Sequence, residues 1–287
     1  MMETMVEIRE LKKQYGDHLV LEAVDLKIKK GEIVGLIGKN GSGKTTLMKM
    51  ILGFTQKDQG DISFSSEMKK VGYLLDCKFF DYMNGYENLK VIHGYSSGKT
   101  KPEVLDKKIR QLLKFVDLAV DNKAVKGYSF GMKQRLGLAL ALMEDPDLLI
   151  LDEPFVGLDP VGIESFIRLI KDLSKIEKKT ILVSSHQLSE IEQICDRYVL
   201  IEKKTLIDVG KADQVKMKII TNGTVEQLNK IFESRIKIAE DGSIIITKDM
   251  EVLNFILENV YFHKLKVIDF EIENDGLTSL FYEEGKQ

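Results

Sequence analysis

The sequence predicts an α/β protein with a mostly parallel sheet core, and three observations carry that prediction. The run EIVGLIG (32–38) is a buried-strand pattern that leads through a glycine-rich turn into TLMKMILG (46–53), whose apolar spacing is helical, as at the start of a βαβ unit. Between about 76 and 145 the composition turns helical, so an α-helical insertion interrupts the sheet. After about residue 212 a second composition begins and reads as a small α+β domain. The expected domains are therefore 4–212 and 213–287.

Residues 5–30 alternate in short runs, VEIREL and LEAVDLKI, around the turn signal YGDH, and are expected as an antiparallel β subdomain. In the insertion, GYENLKVIHGY, then PEVLDKKIRQLLKFVDL from Pro102, then MKQRLGLALALMED ending before Pro146 read as helices. Strands return at LLILD (148–152) and TILVSS (180–185), separated by the helix GIESFIRLIKDLSKIE. VLIEKKTLIDVG reads as a closing hairpin. The last part runs KMKIIT, VEQLNKIFES, RIKIAEDGSIIITK, DMEVLNFILENVYF, KLKVIDFEI and LTSLFYEE: strand, helix, hairpin, helix and strand, close to a split βαβ arrangement.

Composition bounds the function. With 287 residues, 44% of them hydrophobic, the chain can bury a sizeable core. Its 42 basic and 45 acidic residues, net −3, give no global reason to expect a nucleic-acid partner. Cys77 and Cys195 are far apart and lack ligand spacing, which argues against a disulfide framework or a zinc site. The start MMETMVEIRE has no apolar core, so no secretory signal is expected. No apolar run approaches the ~18 to 20 residues that span a bilayer.

GKNGSGKT (38–45) fits the pattern G-x-x-x-x-G-K-[ST] between an expected strand and an expected helix. Glycines at 38, 41 and 43 let successive N–H groups point at anionic oxygens, and the helix N-terminus adds a partial positive charge. The candidate nucleotide-binding residues are Gly38, Lys39, Asn40, Gly41, Ser42, Gly43, Lys44, Thr45 and Thr46. Lys44 would reach the β and γ phosphates of ATP, and the Thr45 hydroxyl would ligate Mg²⁺. In LLILDEP an acidic pair leaves a buried strand: Asp152 is a candidate for Mg²⁺ and Glu153 for the general base that activates water. Read without the phosphate loop, the pair is a solvated turn before Pro154.

With these motifs in place, residues 4–212 resemble the nucleotide-binding subunits of the ATP-binding cassette (ABC) transporters. YSFGMKQR (128–135) stands where that family carries its LSGGQ signature; Ser129 and Gly131 are retained, Phe130 replaces a glycine and Met132 the glutamine. The resemblance implies that this element contacts the γ phosphate held by the opposite subunit's phosphate loop, so a single cassette needs a homodimer or a pseudo-symmetric pair. It also implies that Tyr15 stacks on adenine, Asp159 in FVGLDP is the D-loop aspartate, and His186 is the switch histidine on the γ phosphate. Taken alone, Tyr15 and His186 read as structural. In VGYLLDCKFF, Asp76 aligns with the Q-loop glutamine; aspartate is also a hard oxygen donor for Mg²⁺, but shorter and charged. This acidic residue, YSFGMKQRLGLALAL and FFDYMNGYENL resemble the bacitracin and lantibiotic branch.

The resemblance implies an ATPase that energises export, with antimicrobial peptides or drugs as the cargo class of that branch, through separate transmembrane permease subunits, from the cytoplasmic face of the cell membrane. The aromatic residues Phe79, Phe80, Tyr82 and Tyr86 lie where the membrane subunit is received in that family. The alternatives are a soluble ABC ATPase acting on DNA or ribosomes, and a nucleotide-sensing regulatory module. Neither coiled-coil insertions nor a second cassette is present to favour the first, and Glu153 with His186 favours turnover over the second.

Overall fold

Strand alternation dominates the first thirty residues. β1 (Thr4–Tyr15) and β2 (His18–Lys29) pair antiparallel from Tyr15↔His18 to Thr4↔Lys29. Their inward residues, among them Val6, Ile8, Leu11, Leu21, Val24 and Ile28, are fully buried or nearly so. β3 (Ile33–Ile37) is buried at every position and feeds the glycine loop and α1 (Lys44–Ile51). β4 (Gln59–Phe64) returns antiparallel to β1 and completes a three-stranded sheet of order β2-β1-β4.

The chain then crosses to the edge of the main sheet as β5 (Val71–Leu74). The helical insertion follows as α2 (Gly85–Ser96), α3 (Pro102–Phe115) and α4 (Phe130–Ala141). Pro102 opens α3 at a position where its missing N–H costs nothing, and Ser129 caps α4. β6 (Leu148–Leu151), α5 (Pro160–Lys175), β7 (Thr180–Ser185) and the short α6 (Leu188–Ile191) follow. The hairpin of β8 (Arg197–Glu202) and β9 (Thr205–Lys211) closes the sheet. Its order is β5-β6-β7-β3-β8-β9, with parallel pairing from β5 through β8. This is the computed structural model of the protein; it describes residues 3–96, 100–186, 188–211, 216–232, 236–239, 241–247 and 250–273.

One core holds the two sheets and α1 together, with Val6, Leu21, Val34, Met48, Ile150 and Leu182 among its buried members. The fold class is the expected one. Two strands that the sequence reading passes over, β4 and β5, are short, and β4 buries none of its residues fully, so neither carries a strong period. The insertion is pinned by Asn88, wholly buried, whose Oδ1 accepts from the Phe80 amide and whose Nδ2 donates to the carbonyls of Phe80, Met83 and Asn84.

The chain divides into two compact units, Met1–Gly210 and Lys211–Gln287. The second contains β10 (Lys216–Thr221), α7 (Val225–Phe232), β11 (Lys237–Ile238), β12 (Ile244–Thr247), α8 (Met250–Phe262) and β13 (Val267–Glu273). Its antiparallel sheet runs β11-β12-β10-β13, and Ile219, Leu228, Phe232, Ile244, Ile256 and Val260 form its core. The segment LTSLFYEE, read as part of this domain, lies outside the described residues. Among the described residues no helix is long and apolar enough to cross a membrane.

The last turn of α4 lies directly on β5: a Cβ at Gly72 would stand 2.2 Å from the Ala141 carbonyl oxygen, a backbone atom that cannot swing aside. Gly72→Ala should therefore lower the stability of the first unit by about 1–3 kcal/mol. A urea midpoint equal to that of the wild-type chain would count against this close approach.

Candidate functional site

Parallel pairing brings the C-terminal ends of β3, β5, β6 and β7 to one edge. Ile37 is opposite Ser185, Leu151 opposite Val183, and Leu74 opposite Leu151. The residues that follow, Gly38, Asp76, Asp152 and His186, therefore leave the sheet on the same side, the usual place for a ligand in such sheets.

In the glycine loop Gly41 and Gly43 have φ of 81° and 110°, values that a side chain disfavours. Gly43 opens α1 without a side-chain cap, so the first-turn amides point out of the helix end into the loop. Lys44 is 6% exposed; its Nζ donates to the Gly38 carbonyl at 2.7 Å and stands 3.2 Å from Glu153 Oε1. Ser42 Oγ is a buried atom with no hydrogen-bond partner among the described residues. A ring of amides, an ammonium and an unsatisfied hydroxyl fit a polyphosphate, whose oxygens can accept from all three.

Thr45 Oγ1 donates to Asp152 Oδ2 at 2.6 Å. These two hard oxygens side by side fit Mg²⁺, which takes one or two protein oxygens and fills its octahedron with phosphate and water. Asp152 Oδ1 accepts from Ser184 Oγ at 2.6 Å, and the same Oγ accepts from the Glu153 amide at 2.9 Å. Glu153 sits at φ 48°, a left-handed conformation costing on the order of 1–3 kcal/mol for a residue with a side chain. Its carboxylate is tied on both oxygens: Oε1 faces Lys44, and Oε2 lies 2.7 Å from His186 Nδ1 and accepts from the His186 amide at 3.3 Å.

Tyr15 ends β1 half exposed, with Lys13 Nζ 4.9 Å from its ring centre. Val20 and Leu21 of β2 lie 3.1 and 3.0 Å from where a Gly43 Cβ would be, so this strand borders the glycine loop. Asp76 is exposed two residues beyond β5. Beside it, burial pushes the Cys77 thiol up to about 11.

The signature residues are organised around a different cavity. Ser129 Oγ accepts from the Met132 amide at 3.2 Å, capping α4. The Phe130 ring lies over Gly157, where a Cβ would meet it at 2.7 Å, and Gly131 neighbours Leu158. A cavity of about 400 Å³ is lined by Ser129, Phe130, Gly131, Met132, Gly157 and Asp159 among others. The side chain of Asp159 accepts from the Gly162 amide at 2.8 Å, so within its own chain it caps α5.

Sequence reading passes over Ser184 and Glu190. Two serines ending an apolar strand, TILVSS, were the available signal for the first. Glu190 is buried, takes a hydrogen bond from Ser185 Oγ at 3.2 Å, and burial raises its carboxyl above the usual range.

Comparison with known proteins follows the geometry. The ABC transporter family model matches residues 21–156. The chain is 40% identical over 200 residues to the lantibiotic transport ATP-binding protein SrtF of Streptococcus pyogenes, covering 67% of this chain and 84% of that one. It is 36% identical over 228 residues to the bacitracin transport ATP-binding protein BcrA of Bacillus licheniformis, covering 76% and 75%. A solved dimer, the post-hydrolysis state of the ATP-binding cassette MJ0796 bound to ADP and Pi, matches with a TM-score of 0.63 and 23% identity over 70% of this chain and 96% of that one.

Lys44→Ala removes the only buried ammonium at the loop. Nucleotide affinity, followed by fluorescence of a labelled ATP, should fall by about 10- to 100-fold, the loss of a charged hydrogen bond. Retained affinity would separate Lys44 from the phosphate.

Proposed function

We propose that this chain, which belongs to the ABC transporter family and to its bacitracin and lantibiotic branch, binds and hydrolyses ATP to power export through separate membrane subunits. The observation that carries the reading is the convergence, at one sheet edge, of a phosphate loop, a Thr45–Asp152 oxygen pair and a Glu153 carboxylate held between Lys44 and His186.

The residues divide the work. The loop amides and Lys44 hold the phosphates, and Tyr15 supplies a face for the adenine. Thr45 and Asp152 would hold Mg²⁺, with Asp76 at the same edge, and a cation there would offset the charge that develops on the phosphoryl oxygens. A polyphosphate competes with Glu153 for Lys44, and the carboxylate it displaces stays tethered through His186, placed to take the proton of an attacking water. Because Nδ1 of His186 is committed to Glu153, Nε2 is the nitrogen left for the γ phosphate.

Ser129 to Met132 and Asp159 line a cavity that the phosphate loop does not enter. In a two-fold dimer the helix end at Ser129 faces the partner's γ phosphate, closing two shared sites. Opening and closing of that dimer moves the helical insertion, and with it the membrane chains. The antimicrobial peptide or drug class of the cargo rests on the names of the relatives, and the cytoplasmic membrane face on the need for a membrane partner.

Glu153→Gln keeps the hydrogen-bonding shape and removes the base. It should bind ATP with Mg²⁺, hydrolyse it at least about 100-fold more slowly, and elute from a sizing column as a dimer. A variant that stays monomeric under those conditions would refute the shared site.

A further inference from the structure

We propose that Ser184 is a positioning residue for both the metal ligand and the base, acting through Asp152 and Glu153. The inference rests on the nucleotide and metal reading above and deepens it.

Ser184 is the next-to-last residue of β7 and is fully buried, so its hydroxyl must find partners within the fold. It has two. The proton goes to Asp152 Oδ1 at 2.6 Å, and a lone pair receives the Glu153 amide at 2.9 Å. A hydroxyl owns a single proton, so donation to the carboxylate fixes its rotation and leaves the oxygen only as an acceptor. The two bonds run in the same sense and polarise each other.

Each bond sets one catalytic group. With Oδ1 of Asp152 held from behind, Oδ2 is the oxygen that faces Thr45 Oγ1 at 2.6 Å, which aims the pair that would share a cation. The second bond holds the backbone of Glu153 at φ 48°, and so fixes where its side chain sets out toward Lys44 and His186. The register of the sheet makes this possible: Val183 is opposite Leu151, so the next residue on each strand, Ser184 and Asp152, meet. Without the hydroxyl, a carboxylate oxygen and an amide are both left short of a partner, and Asp152 is free to turn.

The test titrates the full chain with Mn²⁺ in the presence of a saturating, non-hydrolysable ATP analogue, reading free ion by electron paramagnetic resonance. Ser184→Ala should weaken Mn²⁺ binding about tenfold, while metal-free nucleotide affinity stays within about twofold of wild type. Ser184→Thr, which keeps the hydroxyl, should bind Mn²⁺ within about twofold. Should the alanine variant not fold, Ser184→Cys keeps the space filled with a longer, weaker donor and must also weaken the ion. Wild-type Mn²⁺ affinity in the alanine or cysteine variant, or a threonine variant as weak as alanine, overturns the proposal. Asp152→Asn separates the two levels: unchanged Mn²⁺ affinity there sinks the metal reading itself, whereas a loss there with none in Ser184→Ala sinks only the role of Ser184.

Discussion

The register in which β7 lies between β3 and β6 is the constraint on which the site depends. Side chains alternate along a strand, so a slip of one residue would turn Asp152 away from Ser184 and Thr45 toward the other face of the sheet. What prevents the slip is burial. Every residue of β3, β6 and β7 is buried, so the strands cannot shift without exposing one apolar row and burying another group in its place. Core packing thus decides, to within a hydrogen-bond length, where the carboxylates of Asp152 and Glu153 stand.

Electrostatics at that edge follow from the same enclosure. An ammonium as buried as that of Lys44 is costly unless it is compensated, and here two carbonyls and one carboxylate compensate it. Glu153 in turn meets a lysine on one oxygen and a histidine on the other, while its backbone is held in a conformation it would not choose alone. Strain of this kind persists only where the surroundings over-determine it, and the Ser184 hydroxyl and the His186 amide are those surroundings. A phosphate approaching Lys44 enters an already balanced set of charges and must rearrange it.

Much of this was legible in the residues. The strand, glycine loop and helix from Glu32 to Gly53, the buried strand before Asp152 and the one before His186 each announce themselves by local pattern, and the parallel sheet then places their ends together. What stayed hidden depends on partners distant in sequence. β4 is a strand because β1, some fifty residues earlier, offers an edge to it. Asn88 reads as an ordinary polar residue of a helix until the loop at 80–84 folds over it. Ser184 looks like the polar end of a strand until the pairing with β6 is known. Asp159 carries two readings at once, since the cap on α5 is a sufficient local reason for an aspartate before Pro160.

Phe130, the bulky residue at the mouth of α4, rests on a glycine at 157 that leads into α5. Size at one position is therefore matched to smallness at the other: a side chain at 157 would collide with the ring, so glycine there is what lets the loop before α5 come up against the end of α4.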